Sequence, residues 1–345
     1  MSEVENLLSF EDFREQRAVW ESLRKNLSEG TFVHSYLICG EKGTGKRSLA
    51  KLTAAALLCR NGNGCPCGKC SSCVQVMTEN HPDLIILQPG IPIAKDTEAG
   101  RTTIPVEDIR ELIRQVNVFS FEGGRRAVIV RDAHKMTPAA QNAFLKTLEE
   151  PPEGTVFFLL TDMPGSLLTT IISRCRRIDL HPWSDEKIYG FLHSKGIDDN
   201  RIRSCVQEAG GSFSEALRIA GDTDFWERRK IIIRDFLEIP DRSTIASVSS
   251  QWKEKKTERD ELLNTLEGFI RNSVCFRFGN KDETILSDLP RWWKIMTEQA
   301  PLRELTDLLE LIPEIREKAA SSVNWQMLCE QLLLKLVEEK KKWQG

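Results

Sequence analysis

The chain has 345 residues, with 48 Lys and Arg against 51 Asp and Glu for a net charge of −3, and is 40% hydrophobic and 29% charged. That length predicts two or three domains, and that balance excludes both a disordered chain and a strongly cationic nucleic-acid coat. No run approaches the ~18 consecutive apolar residues of a membrane span, and the acidic start MSEVENLLSF lacks the basic flank of a signal peptide, so a reducing cytoplasm and no membrane contact are expected.

In chain order, apolar runs at 35–39, 83–87, 126–130, 155–161 and 176–180 predict five strands. They alternate with helical patterns, as a parallel α/β sheet requires. The clearest of these helices places Ile109, Leu112, Ile113 and Val116 on one face. Another runs over 138–150 and is stopped by Pro151-Pro152, because proline lacks an amide donor and clashes with the preceding turn. After His181-Pro182-Trp183 the strand signals nearly vanish. Three short helices are expected over 184–220, with breaks at Gly196 and Gly210-Gly211. Longer amphipathic segments follow, interrupted at Pro240, Gly279-Asn280, Pro290, Pro301 and Pro313. The last, 322–342, carries apolar residues at 325, 328, 332, 333 and 336 and ends in a lysine run. The expected fold class is therefore α/β followed by an all-α remainder.

Three motifs along this frame carry chemistry. Gly40-Glu41-Lys42-Gly43-Thr44-Gly45-Lys46 fits the GxxxxGK phosphate loop between a strand and a helix starting near Lys46. Gly40, Gly43 and Gly45 let backbone amides turn inward on phosphate oxygens, the helix N-terminus adds positive potential, and Lys46 reaches the terminal phosphates. The next residue, where a magnesium-ligating Ser or Thr belongs, is Arg47. The strand 126–130 ends in Arg131-Asp132-Ala133, so Asp132 stands where a metal-supporting carboxylate is expected, or caps the next turn. Ala133 puts a methyl group where a water-activating carboxylate is needed, and a methyl group accepts no proton. Backbone amides and Lys46 suffice to hold ATP or ADP without hydrolysis, so the sequence leaves nucleotide binding open.

The third motif is Cys65-Pro-Cys67-Gly-Lys-Cys70-Ser-Ser-Cys73, with Cys59 just upstream. Overlapping CxxC spacings bring thiolates within reach of one tetrahedral ion, with either Cys59 or Cys65 completing the set. Four sulfurs close the coordination shell, so zinc here would be structural. His81, His134 and His181 have no nucleophile at a recognisable spacing and read as loop or strand-edge residues. The eight tryptophans sit mostly at helical spacing in the C-terminal half and read as packing residues.

The run Asn142-Ala143-Phe144-Leu145-Lys146-Thr147-Leu148-Glu149-Glu150-Pro151-Pro152 and the triplet Ser173-Arg174-Cys175 complete the picture. With the phosphate loop and the cysteine module in this order, the chain resembles the AAA+ clamp-loader subunits of bacterial DNA polymerase III, closely over residues 1–220. The resemblance implies a RecA-like AAA+ domain over 1–182 with a zinc module at 59–73, a three-helix lid over 183–221 and a C-terminal helical collar over 222–345. It places zinc on Cys59, Cys67, Cys70 and Cys73, and it makes Arg174 an arginine finger acting on a neighbouring subunit's ATP. It further implies a hetero-pentamer with gamma/tau and delta subunits that opens a sliding clamp and places it on primed DNA in the bacterial cytoplasm. Arg47, Ala133 and Ser214, at the place of a lid arginine, depart from the hydrolysing gamma/tau motors. The expectation is a non-hydrolysing stator with no turnover of its own. A gamma/tau-like motor with a rearranged magnesium site is the alternative, and a zinc-module DNA-binding protein with a vestigial ATPase fold is a third reading.

Overall fold

Runs such as Ala127-Val128-Ile129-Val130 leave no polar face, so these strands must be covered on both sides. The computed structural model places them accordingly. It describes residues 12–16, 19, 23, 33–61, 65–95, 97–118, 124–239, 241–254, 259–278, 294–320 and 323–343. The chain divides into two compact units, Met1–Trp183 and Ser184–Gly345.

In the first unit the order is β1 (Ser35–Cys39), α1 (Lys46–Leu58), α2 (Ser71–Met77), β2 (Leu84–Leu87), α3 (Val106–Val116), β3 (Arg126–Val130), α4 (Pro138–Glu149), β4 (Thr155–Thr161), α5 (Thr169–Ile172) and β5 (Arg176–Asp179). The five strands form one parallel sheet in the order β2-β3-β4-β1-β5. Register pairs include Leu37 with Leu159 and Val128 with Phe157. All residues of β1, β3 and β4 are buried, whereas the edge strand β5 exposes all but Ile178. On one face, α3, α4 and α5 bury Ile109, Leu112, Phe144, Leu148 and Ile171 against Val128, Phe157 and Leu159. Phe144 and Phe157 meet edge to face at 5.4 Å, a geometry that suits the ring quadrupoles. Residues of the opposite parity, such as Tyr36 and Phe158, stack at 5.5 Å. Thr137 caps α4 by accepting from the Ala140 amide, with Pro138 at the first helical position where its missing N–H costs nothing.

Among its described residues the second unit has helices and their connections and no strand. α6 (Asp185–Ser194), α7 (Asp199–Ala209) and α8 (Phe213–Gly221) are followed by α9 (Phe225–Leu237), α10 (Ile245–Glu254), α11 (Arg259–Arg277), α12 (Leu302–Ala320) and α13 (Trp325–Trp343). Ser184 and Ser212 cap α6 and α8 on the Lys187 and Glu215 amides. Ile233, Phe236, Phe269, Leu308, Ile312, Leu332 and Leu336 join one core across α9, α11, α12 and α13. Between α7 and α9, Arg229 is fully buried and paired with Glu208 at 2.6 Å. Trp183, Trp252 and Trp325 are buried, as the packing reading requires.

One expectation fails: α12 runs through Pro313 without a break. Leu305 and Leu308 before the proline and Ile315 after it are all buried in the same core, so tertiary packing holds both halves in line despite the lost hydrogen bond. Pro301 stands one residue before that helix, and its carbonyl accepts from Leu305 N. The breaks expected at Pro240, Gly279-Asn280 and Pro290 lie outside the described residues.

Candidate functional site

The phosphate loop leaves the C-terminal end of β1, where the chain order of the sheet reverses and where open α/β sheets bind ligands. Gly40, Gly43 and Gly45 have φ of 152°, 84° and 96°. A Cβ on Gly40 would lie 2.8 Å from both the Leu180 carbonyl and Thr44 Oγ1, so no other residue fits there. Thr44 Oγ1 donates to the Glu41 carbonyl at 2.8 Å, and Trp183 Nε1 donates to the Thr44 carbonyl at 2.8 Å. The Trp183 ring meets Phe13 edge-on at 5.4 Å and so anchors the loop from below. Lys46 Nζ donates to the Gly40 and Glu41 carbonyls at 2.6 and 2.8 Å. Burial lowers the Lys46 pKa, with Asp162 and Asp132 pulling the other way, which places all three in one electrostatic neighbourhood.

The ends of β3 and β4 supply the rest of this crevice. Asp132 takes a left-handed φ of 48° and its carboxylate accepts from Lys135 at 3.1 Å rather than capping the following turn. Ala133 is fully buried. His134 Nδ1 lies 3.1 Å from Asp162 and 3.3 Å from Thr161 Oγ1, and burial lowers its pKa against the pull of Asp162 and Asp132. Sequence reasoning passed over Thr161 and Asp162; their place at the end of the apolar run 155–161 was the available signal.

Arg47 points away from the loop and donates to Glu79 at 2.7 Å. The same carboxylate oxygen takes Lys51 at 2.6 Å and Arg131 at 2.5 Å. Lys51, 1% exposed, also donates to the Met77 carbonyl at 3.0 Å. One carboxylate thus ties the phosphate-loop helix α1 and the residue after β3 to the segment following α2. Burial opposes ionisation of Glu79, but hydrogen bonds from Lys51 and Arg47 and the charge of Arg131 outweigh it and hold the carboxyl at about 2.

Cys59 closes α1, Cys67 lies in the following loop, Cys70 caps α2 and Cys73 stands in its first turn. The four sulfurs all lie within 4.8 Å of one another, with Cys67 and Cys73 at 3.9 Å. Sulfurs about 2.3 Å from a central zinc stand about 3.8 Å apart, so this group can hold a metal ion. The Cys70 amide donates to Cys67 Sγ at 3.3 Å and the Cys73 amide to Cys70 Sγ at 3.4 Å. Backbone N–H groups of Lys69 and Cys70 draw the Cys67 thiol down to about 6, while burial pushes Cys73 up to about 12. Cys65 is exposed and stands outside the group. Next to it, Ser72 donates to the Leu58 carbonyl and His81 Nε2 lies 2.7 Å from Ser72 Oγ, while His81 Nδ1 accepts from the Asp83 amide. His81 is therefore the Nε2–H tautomer, bracing the module against β2.

Arg174 follows α5 and precedes β5, with its side chain 31% exposed. Its Nε donates to Glu149 Oε1 at 2.7 Å, its Nη2 reaches the same oxygen, and its Nη1 donates to the Thr170 carbonyl at 2.8 Å. Burial pushes the neighbouring Cys175 up to about 12, which makes that thiol a packing group. Ser214 lies 3.4 Å from the capping Ser212 hydroxyl.

A phosphate loop at the C-terminal end of β1, with β1 between β4 and β5 and carboxylates at the ends of β3 and β4, defines a domain of the AAA+ class. Family profiles described as DNA polymerase III delta subunit and its C-terminal region match residues 15–184 and 223–338. The chain is 29% identical to the DNA polymerase III delta-prime subunit of Bacillus subtilis over 96% of its own length and 99% of that protein's. It is 29% identical to the delta-prime subunit of Escherichia coli over 93% of each chain. Against the Escherichia coli tau subunit the identity is 36%, but over 61% of this chain and 32% of that one. The chain belongs to the delta-prime family of bacterial DNA polymerase III clamp-loader subunits. Among the described residues no helix is long and apolar enough to cross a membrane.

Proposed function

We propose that this chain serves its clamp loader as a non-hydrolysing subunit that lends Arg174 to the nucleotide of a neighbour. The observation that carries the reading is the contrast between two places in one domain. Arg174 is part-exposed before the edge strand β5 with a donor to spare, while the chain's own loop has Arg47 turned onto Glu79 and Ala133 buried at the water-activating position. Phosphoryl transfer depends on positioned charge and a metal. The loop keeps what binding needs, namely Gly40, Gly43, Gly45 and Lys46 with Asp132 nearby, so ATP or ADP is its ligand class. A guanidinium is permanently charged and matches phosphate oxygens, which suits Arg174 to a role in trans.

Zinc is the metal that four thiolates select. On Cys59, Cys67, Cys70 and Cys73 it would fasten the end of α1 to α2 and leave no open coordination position. We assign residues 1–182 to the AAA+ domain, 183–221 to a lid and 222–345 to a collar that joins gamma/tau and delta subunits. The assembled ring would act on a sliding clamp and primed DNA in the bacterial cytoplasm. The test is to mix the chain with gamma/tau and delta subunits of the same cell. Stable co-assembly, with no ATP turnover by the isolated chain, supports this reading. Steady turnover by the isolated chain that Lys46→Ala abolishes would replace it with the motor.

A further inference from the structure

Glu149 is the last residue of α4, and its carboxylate faces Arg174 across 25 positions of sequence. It takes Nε at 2.7 Å and Nη2 on one oxygen, so it grips the side edge of the guanidinium. The Thr170 carbonyl takes Nη1 at 2.8 Å, and Ser173 Oγ stands at a weak 3.5 Å. Arginine has five N–H donors in a fixed fork. Two on Glu149, one on Thr170 and a long one on Ser173 leave the second N–H of Nη2 for an outside acceptor, and the weak Ser173 contact lets Nη1 offer its own. Both side chains are part-exposed, at 31% for Arg174 and 46% for Glu149, and the hydrogen bonds that hold the guanidinium lie at the surface, where an outside group can approach it. α4 is a rigid anchor, capped at Thr137 and packed through Phe144 and Leu148 into the sheet.

We propose that Glu149 is a positioning residue for Arg174: it fixes the side edge of the guanidinium so that the terminal nitrogens face a phosphate of the neighbouring subunit's nucleoside triphosphate. This inference rests on the proposed role of Arg174 in trans. An unanchored arginine would have to be immobilised during each turnover, and that ordering reduces the fraction of bound complexes in a reactive geometry. The loss therefore falls on kcat and leaves KM for ATP in place.

The experiment is a double-mutant cycle in the reconstituted complex, with the loop lysines replaced at every ATPase site except the one Arg174 serves. Wild type, Glu149→Ala, Arg174→Ala and the double variant are compared for kcat and KM of stimulated ATP hydrolysis, and Glu149→Gln tests rescue by a neutral acceptor of the same shape. Assembly and zinc content are measured alongside. We expect Glu149→Ala to lower kcat about tenfold with KM unchanged, Glu149→Gln to recover part of the loss, and the double variant to match Arg174→Ala alone. If Arg174→Ala is silent, the role in trans falls and takes this inference with it. If Arg174→Ala acts but Glu149→Ala is silent, additive with it or faster than wild type, only the positioning role is overturned.

Discussion

Replacing Glu79 by alanine should destabilise the N-terminal unit more than any other single surface-reachable change near the phosphate loop. Lys51 is 1% exposed, and its ammonium has Glu79 at 2.6 Å and the Met77 carbonyl at 3.0 Å. Removing one partner of a buried pair leaves an uncompensated charge and costs about 3–5 kcal/mol. Glu79 itself keeps 23% of its side-chain surface, so solvent screens part of the interaction and we expect about 3 kcal/mol. For a unit of this size that corresponds to a fall in melting temperature of about 6–12 °C. The assay is scanning calorimetry on wild type, Glu79→Ala, Lys51→Met and the double variant. Because the double variant removes the most deeply buried of the three charges on Glu79, it should recover part of the loss, the rest belonging to Arg47 and Arg131, which still lose this carboxylate. The pH dependence has a definite sign. Glu79 is depressed from 4.5 to about 2, so its contribution is complete above the ordinary value and disappears as pH falls from about 4.5 through 2. The gap between wild type and Glu79→Gln should therefore close over that window. A Glu79→Ala chain that melts with wild type at neutral pH, or a double variant worse than Glu79→Ala, would refute the reasoning.

Metal analysis of the purified chain should give one zinc per chain; Cys59→Ser and Cys73→Ser should lose it, and Cys65→Ser, whose thiol lies outside the cluster, should keep it. The isolated chain should show no ATP turnover above background, and Lys46→Ala should leave that background unchanged, measured by phosphate release. In the helical unit, Glu208→Ala removes the carboxylate 2.6 Å from the fully buried Arg229 and should cost about 3–5 kcal/mol, read as a lower urea midpoint for that unit. Phe144→Ala should cost about 3–5 kcal/mol in the sheet unit, because it empties a site packed edge to face on Phe157.

The local features were legible because local chemistry dictates them. The five strands, the glycines with positive φ and the Cys67-x-x-Cys70-x-x-Cys73 spacing all follow from short stretches of chain. Cys59 needed more: spacing left it level with Cys65, and only the end of α1 brings it to the cluster. The contacts that give the site its character lie between distant residues. Nothing near Arg47 announces Glu79, which lies 32 positions on, or ties Trp183 Nε1 to the Thr44 carbonyl 139 positions back. Glu149 was in view as part of the Leu148-Glu149-Glu150-Pro151 run, yet its pairing with Arg174 depends on how α4 and α5 meet. Pro313 shows the opposite failure, a strong local breaker overruled by a core that buries apolar residues on both sides of it.

The central claim is that this chain supplies an arginine and not a motor, and one comparison within the reconstituted complex tests it directly. Clamp- and DNA-stimulated ATP hydrolysis is measured with Arg174→Ala and, separately, with Lys46→Ala in this subunit alone. The account predicts a clear loss with Arg174→Ala at intact assembly and no loss with Lys46→Ala. A rate that falls with Lys46→Ala while Arg174→Ala leaves it untouched would contradict it.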